Sequence, residues 1–169
     1  MEFSELLTAR YSVRVYKPDP IPEEILQQVL EAARLAPTAA NRQPFRVILT
    51  HTRGREQELQ RIYRHSWFTQ APLVVCVCAV PEEAWVRQDQ RSYCDVDAAI
   101  ALDHLILAAA NLGIGTCWIA HFDVQAAREI LQVPLSVEPL LLTPLGYPAD
   151  HIRSKKRRSL DDLVRFERW

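Results

Sequence analysis

The stretch VDAAIALDHLILAAANL, residues 96–112, decides how this chain folds. Read as an α-helix it spans roughly 25 Å, with Ala, Leu and Ile over most of its circumference. Asp97, Asp103 and His104 interrupt the apolar run, and each Asp at bilayer depth would cost about 2.5–3.5 kcal/mol. The segment therefore reads as a buried helix and not as a membrane span. A helix so enclosed by apolar side chains must be covered on several sides, which one small domain does poorly and a dimer does well. Burial across a subunit interface is the expectation.

Outward from this helix the chain alternates. Before it, Glu82–Ser92 is polar with Trp85 embedded, a candidate lid or interface excursion. Leu73–Val80 is an unbroken apolar run, expected to be a central strand. Arg55–Trp67 reads as an Arg- and Glu-rich surface helix and Phe45–Thr50 as a strand. Pro22 opens a helix in which Ile25, Leu26, Val29, Leu30 and Ala33 recur at helical spacing, and Pro37 stops it. Glu2–Ala9 reads as a short helix. After residue 112 come Cys117–Ala120 as a short strand, a helix capped by Asp123 and running to Leu131, and the strand Pro139–Leu145. Ser159 with Asp162 forms a capping signal, and Val164–Trp169 is a last strand or an arm. No repeat, low-complexity segment or linker appears.

Composition narrows the function classes. With 169 residues, 49% apolar and 24% charged, one globular domain large enough to bury about 70% of its unfolded surface is expected. A net charge of -1 argues against a nucleic-acid binder. The N-terminus, with Glu2 and Glu5, does not resemble a secretory signal. Cys76, Cys78, Cys94 and Cys117 show no C-x-x-C spacing, so no metal site or disulfide framework is expected and a reduced, cytoplasmic compartment is the simplest reading. Four glycines in the whole chain leave no P-loop and no G-x-G-x-x-G. The 20 basic residues include only Lys17, Lys155 and Lys156 as lysines; the rest are Arg, whose planar fork suits phosphate and carboxylate recognition, although coding bias is by itself the better explanation of the preference.

Three segments could carry chemistry. In RYSVR, Arg10, Ser12 and Arg14 alternate, so an extended chain points all three to one face. Alone this is a solvated basic strand end. Joined by the tail run Arg153, Lys155, Lys156, Arg157 and Arg158 it becomes an anion pocket, since a phosphate monoester carries roughly two negative charges that Arg forks meet bidentately. PTAANRQPF, residues 37–45, sets small residues beside Asn41 and Gln43 just ahead of a strand. Small side chains admit a flat ligand and amides serve a heterocycle edge, though an ordinary polar loop would read the same. LGIGTCWIAHFD, residues 112–123, has Gly113 and Gly115 placed for a helix end and a turn.

In this order and across nearly the whole chain, these segments resemble the FMN-dependent nitroreductase family. RYSVR is similar to its N-terminal phosphate motif, PTAANRQPF to its flavin-edge loop, GIGTCWIAHF to the segment reaching flavin N5, and KKRRSLDDLV to its basic tail. The resemblance implies an α+β, three-layer fold with a mixed central sheet flanked by helices. It further implies a single domain over residues 1–169, and an intertwined homodimer with a C-terminal arm, about 153–169, reaching the partner. It implies FMN held by Arg10, Tyr11, Ser12, Arg14, Pro37, Thr38, Ala39, Asn41, Gln43, Ile119, Ala120, His121, Lys155 and Arg157. NADH or NADPH would be the donor and a small nitroaromatic, quinone or other electron-poor molecule the acceptor. His121, where the family often has a small residue, becomes a possible proton donor. The rivals are a dehalogenase or flavin-fragmenting enzyme of the same fold, and a non-catalytic flavin-binding module. His104 reads as a satisfied core or interface histidine and Cys117 as packing. Of Trp67, Trp85 and Trp169, Trp85 is the first candidate to stack on a substrate.

Overall fold

A computed structural model of the chain describes every residue except Ile152 and Arg153. Four strands, β1 (Phe45–His51), β2 (Leu73–Ala79), β3 (Gly115–Thr116) and β4 (Glu138–Gly146), form one sheet in the order β1-β2-β4-β3. Every pair in it is antiparallel. The parallel component of the expected mixed sheet is confined, among the described residues, to a single bridge between Ser12 and Thr116.

The two faces of β2 explain its composition. Leu73, Val75 and Val77 join a cluster with α2 (Glu23–Arg34) and α4 (Cys94–Asn111). Val74, Cys76 and Cys78 join a second cluster with α3 (Glu56–Ile62) and α5 (Val124–Ile130). A strand covered on both sides has no polar positions to spare, and all seven of its residues are buried. The result is three layers, helix, sheet and helix.

Helix α4 buries only one face within its own chain. Ala98, Ala101, Leu102, Leu105, Ile106 and Ala109 are buried, all but Ala101 in the cluster with α2 and the sheet, while Val96 is 39% exposed. Ile100 and Leu107 are half-buried on the outer side, near the exposed Asp103. His104 was expected to be a satisfied core or interface histidine; its Nδ1 is buried with no hydrogen-bond partner among the described residues.

Three elements differ from the sequence expectation. The helix expected over Arg55–Trp67 stops at Ile62, because Tyr63 turns extended (φ −145°) and its ring packs edge-on against Trp67 and Phe68; Ser66–Thr69 form a separate 3₁₀ turn. The strand expected at Cys117–Ala120 lies earlier, at Gly115–Thr116. Past it the Cys117 N–H turns to the Thr143 hydroxyl (3.0 Å), and only Ile119 pairs again, with Leu142. Val164–Trp169 forms no strand and is exposed throughout, after the short α6 (Leu160–Leu163) that Ser159 caps through the Asp162 N–H. No helix of the described residues is long and apolar enough to cross a membrane.

Candidate cofactor and acceptor site

Helix α1 (Phe3–Ala9) ends where Arg10 turns extended (ψ 130°). From there the chain runs alongside β3: the Val13 N–H donates to the Thr116 carbonyl (2.9 Å), and buried Val13 packs on Gly115. Only glycine allows this approach, since a Cβ at position 115 would stand 2.8 Å from Val13 Cγ2. With Val13 turned inward, Arg10, Ser12 and Arg14 line a cavity of about 200 Å³, and Lys155 and Arg157 line it from the far end of the chain. Arg153 lies outside the described residues.

Asp150, which the sequence reading missed, ties this segment down. Its carboxylate accepts from the Arg14 backbone N–H and the Tyr11 hydroxyl, both at 2.9 Å. Burial, then the hydrogen bond and charge of Asp150, push the Tyr11 phenol up to about 12. No local signal marks Asp150, because its partners lie more than 130 residues away. Arg10, Arg14, Lys155 and Arg157 form none of the ion pairs found among the described residues. Lys155 donates to the Leu7 carbonyl (2.6 Å); burial and the nearby Arg10 and Arg157 hold its ammonium below the usual lysine range. With Lys156, five Lys and Arg side chains line one small space with a single, already engaged carboxylate, which calls for an anion of more than one charge. Cys117 lies behind them; burial raises its thiol against the opposing pull of Arg14, Ser12 and Arg10, which fits packing and not nucleophilicity.

An aromatic wall leads away from this cavity. The Arg14 guanidinium carbon lies 5.9 Å from the Trp67 ring, Trp67 stacks on His65 (5.9 Å, 28°), and Tyr63 meets Trp67 edge-on at 5.4 Å. Trp67, and not Trp85, therefore stands next to the cations; Trp85 packs edge-on against Tyr93. Tyr63, His65, His121 and Phe122 line a second cavity of about 360 Å³. At its edge the backbone N–H groups of Ala120 and His121 donate to no acceptor among the described residues, whereas those of Ile119 and Asp123 are bonded to Leu142 and Ile62.

The remaining predicted residues lie elsewhere. In the loop 37–45, Ala40, Asn41 and Gln43 all adopt left-handed φ of 50–54°, a conformation that costs non-glycine residues roughly 1 kcal/mol each. The Thr38 hydroxyl accepts from the Gln43 N–H (3.0 Å), and the Gln43 amide donates to Asn41. The Ala39 N–H donates to Asp97 Oδ1 (2.9 Å), a buried carboxylate whose Oδ2 has no partner among the described residues. None of Pro37, Thr38, Ala39, Asn41 or Gln43 lines the cavity at Arg10 or the one at His121; Gln43 faces a third, beside α2. One chain does not bring the whole predicted set together.

A sequence model described as "Nitroreductase family" matches residues 7–67 and 54–147. The chain belongs to the nitroreductase family. Among its relatives, an FMN reductase [NAD(P)H] of Bacillus subtilis is 31% identical over 92% of this chain and 70% of its own length. A putative NADH dehydrogenase/NAD(P)H nitroreductase of Archaeoglobus fulgidus is 28% identical over 99% of both. The crystal structure of a nitroreductase family protein from Clostridium difficile 630 superposes with a TM-score of 0.89, covers 100% of both chains and is 33% identical. This nitroreductase-family chain is an oxidoreductase.

Proposed function

We propose that the chain is an FMN-dependent NAD(P)H oxidoreductase, a homodimer of single domains in the cytoplasm, that reduces nitroaromatic, quinone or related electron-poor acceptors. The observation that carries this reading is the cluster of Arg10, Arg14, Lys155, Lys156 and Arg157, none of them in an ion pair among the described residues, joined through Trp67 to a cavity edged by two N–H groups without an acceptor there. These residues fit FMN. Phosphate would take the forks of Arg10, Arg14 and Arg157, the Lys155 ammonium and the Ser12 hydroxyl. A flavin ring would lie toward Ala120 and His121, whose N–H groups would be available to donate to it.

Bound FMN supplies the redox chemistry, taking a hydride from NADH or NADPH and passing two electrons to the acceptor. The protein's part is to hold the phosphate, orient the ring and shape the acceptor space. Asn41 and Gln43 serve the ring edge, and because they stand outside both cavities in one chain, they come from a second copy. All four cysteines are buried and free, in keeping with a reducing compartment.

Protein reconstituted with FMN under anaerobic conditions should be yellow and should bleach on addition of NADH or NADPH; a nitroarene or quinone should restore the colour. Failure to bind FMN would overturn the reading. Halide release from a halophenol, or loss of the flavin chromophore in oxygen, without nitro or quinone reduction would assign the chain a dedicated substrate instead. His121, exposed at the second cavity, would give the reduced acceptor a proton. His121→Ala should leave flavin reduction intact and slow the oxidative half-reaction by roughly 10², read by stopped flow; equal reoxidation rates would retire that role.

A further inference from the structure

Two guanidinium groups at the rim of the second cavity, those of Arg61 and Arg64, are not needed for FMN. The space of about 360 Å³ is walled by Tyr63, His65 and Phe122 and ringed by Arg61, Arg64 and His121. Its one acidic lining residue, Asp123, is engaged as the cap of α5, accepting from the Ala126 N–H at 2.8 Å. Arg61 is paired with Glu129 (2.8 Å). Arg64 makes no ion pair and no side-chain hydrogen bond among the described residues, and it projects from the extended segment between Tyr63 and His65. Aromatic walls with an unspent guanidinium at the mouth favour a flat ring that carries a negative charge at one end.

We infer that the acceptor class of this enzyme is a single-ring, electron-poor aromatic carboxylate, held with its ring against Tyr63, His65 and Phe122 and its carboxylate on Arg64. This rests on the FMN reading above and narrows it. Reduction of such a nitroarene balances as the nitro compound plus NAD(P)H and one proton giving the nitroso compound, water and NAD(P)⁺; the hydride supplies both electrons, and solvent, through His121, supplies the second proton. Arg64 takes no part in these transfers and sets the choice of acceptor alone.

The test uses FMN-loaded enzyme reduced with one equivalent of NADH, mixed anaerobically with 4-nitrobenzoate or with its neutral analogue 4-nitrobenzamide. Each reoxidation rate is divided by the rate of the same acceptor with free reduced FMN, which removes the difference in reduction potential. The wild type should favour the carboxylate by about tenfold or more, the scale of one charge-assisted hydrogen bond. Arg64→Gln should bring that ratio to about one, and Arg64→Lys should keep most of it. A wild-type ratio near one, or a ratio that survives Arg64→Gln, would overturn the assignment. So would an Arg64→Gln effect confined to reduction by NADH, which would show that the charge serves the donor. A protein that takes up no FMN, or that NADH and NADPH cannot reduce, fails before any acceptor is added, and that failure removes the oxidoreductase reading as well.

Discussion

Arg10 and Arg157 sit at opposite ends of the chain and face one cavity, and both are proposed as phosphate ligands. Each charge-assisted hydrogen bond is worth roughly 1.5–3 kcal/mol. Arg10→Ala or Arg157→Ala should each weaken FMN binding by an order of magnitude or more, as followed by quenching of flavin fluorescence; unchanged affinity in both would place the phosphate elsewhere. Tyr11 gives a separate handle on the same segment. Its phenol is held near 12 in the fold against about 10 in an unfolded chain. A raised acid favours the neutral form in the native state, so its contribution to stability is complete below pH 10 and disappears as pH climbs through 12. Tyr16, buried and also raised, acts in the same direction. In urea unfolding, Tyr11→Phe should start less stable than wild type by about 1 kcal/mol, and the gap should close between pH 10 and 12. A gap independent of pH would show that the bond to Asp150 does not hold this strand. At this scale the sequence revealed the cations, because alternation in RYSVR is a local property. It did not reveal Asp150 or the pairing of Asp97 with the Ala39 N–H, because those depend on which distant residues the fold brings together. Asp97 had offered a signal, an acid in the first turn of an apolar helix, but that signal served only to argue against a membrane span.

At the scale of elements, the three long strands were legible and the breaks between elements were not. Leu73–Val80 declares itself by having no polar residue, since both faces are covered. The end of α3 depends on Tyr63 leaving the helix to pack on Trp67 and Phe68, a tertiary gain that overrides local preference. β3 was misplaced for a related reason. Apolar residues at Cys117–Ala120 suggest a strand, whereas the pairing sits where Gly115 lets Val13 come close. That contact is testable. Gly115→Ala puts a methyl group 2.8 Å from Val13, and overpacking of this kind costs about 1–3 kcal/mol. The variant should melt several degrees lower, by roughly 2–4 °C per kcal/mol for a chain of this size. It should also bind FMN less tightly, because Ser12 is bridged to the strand that moves. Gly54→Ala, at an open position away from the cavity but with φ of +80°, should lower the melting point without touching flavin affinity. Equal flavin affinity in both variants would separate β3 from the cofactor.

For the molecule as a whole, what one chain leaves uncovered matters as much as what it buries. Phe3, Leu7, Leu160, Leu163 and Phe166 are exposed, Phe166 at 88%, and the outer side of α4 shows Val96, Ile100 and Leu107. The sequence pointed to this through the all-round apolar helix, and the separation of Asn41 and Gln43 from the cation cavity points the same way. The protein should therefore run as a dimer in light scattering at micromolar concentration. Removing residues 159–169 should shift it toward monomer and release flavin; a full-length monomer that retains flavin would contradict the arrangement. The crowding of Arg10, Arg14, Lys155 and Arg157 has a further consequence, for the life of the polypeptide. Without an anion these charges repel one another, and a ligand present at a hundred times its dissociation constant adds about 2.7 kcal/mol to the native state. Difference of that size alters how often a chain opens to proteases, so the amount of this protein in a cell should follow the supply of vitamin-derived flavin even when its synthesis is constant.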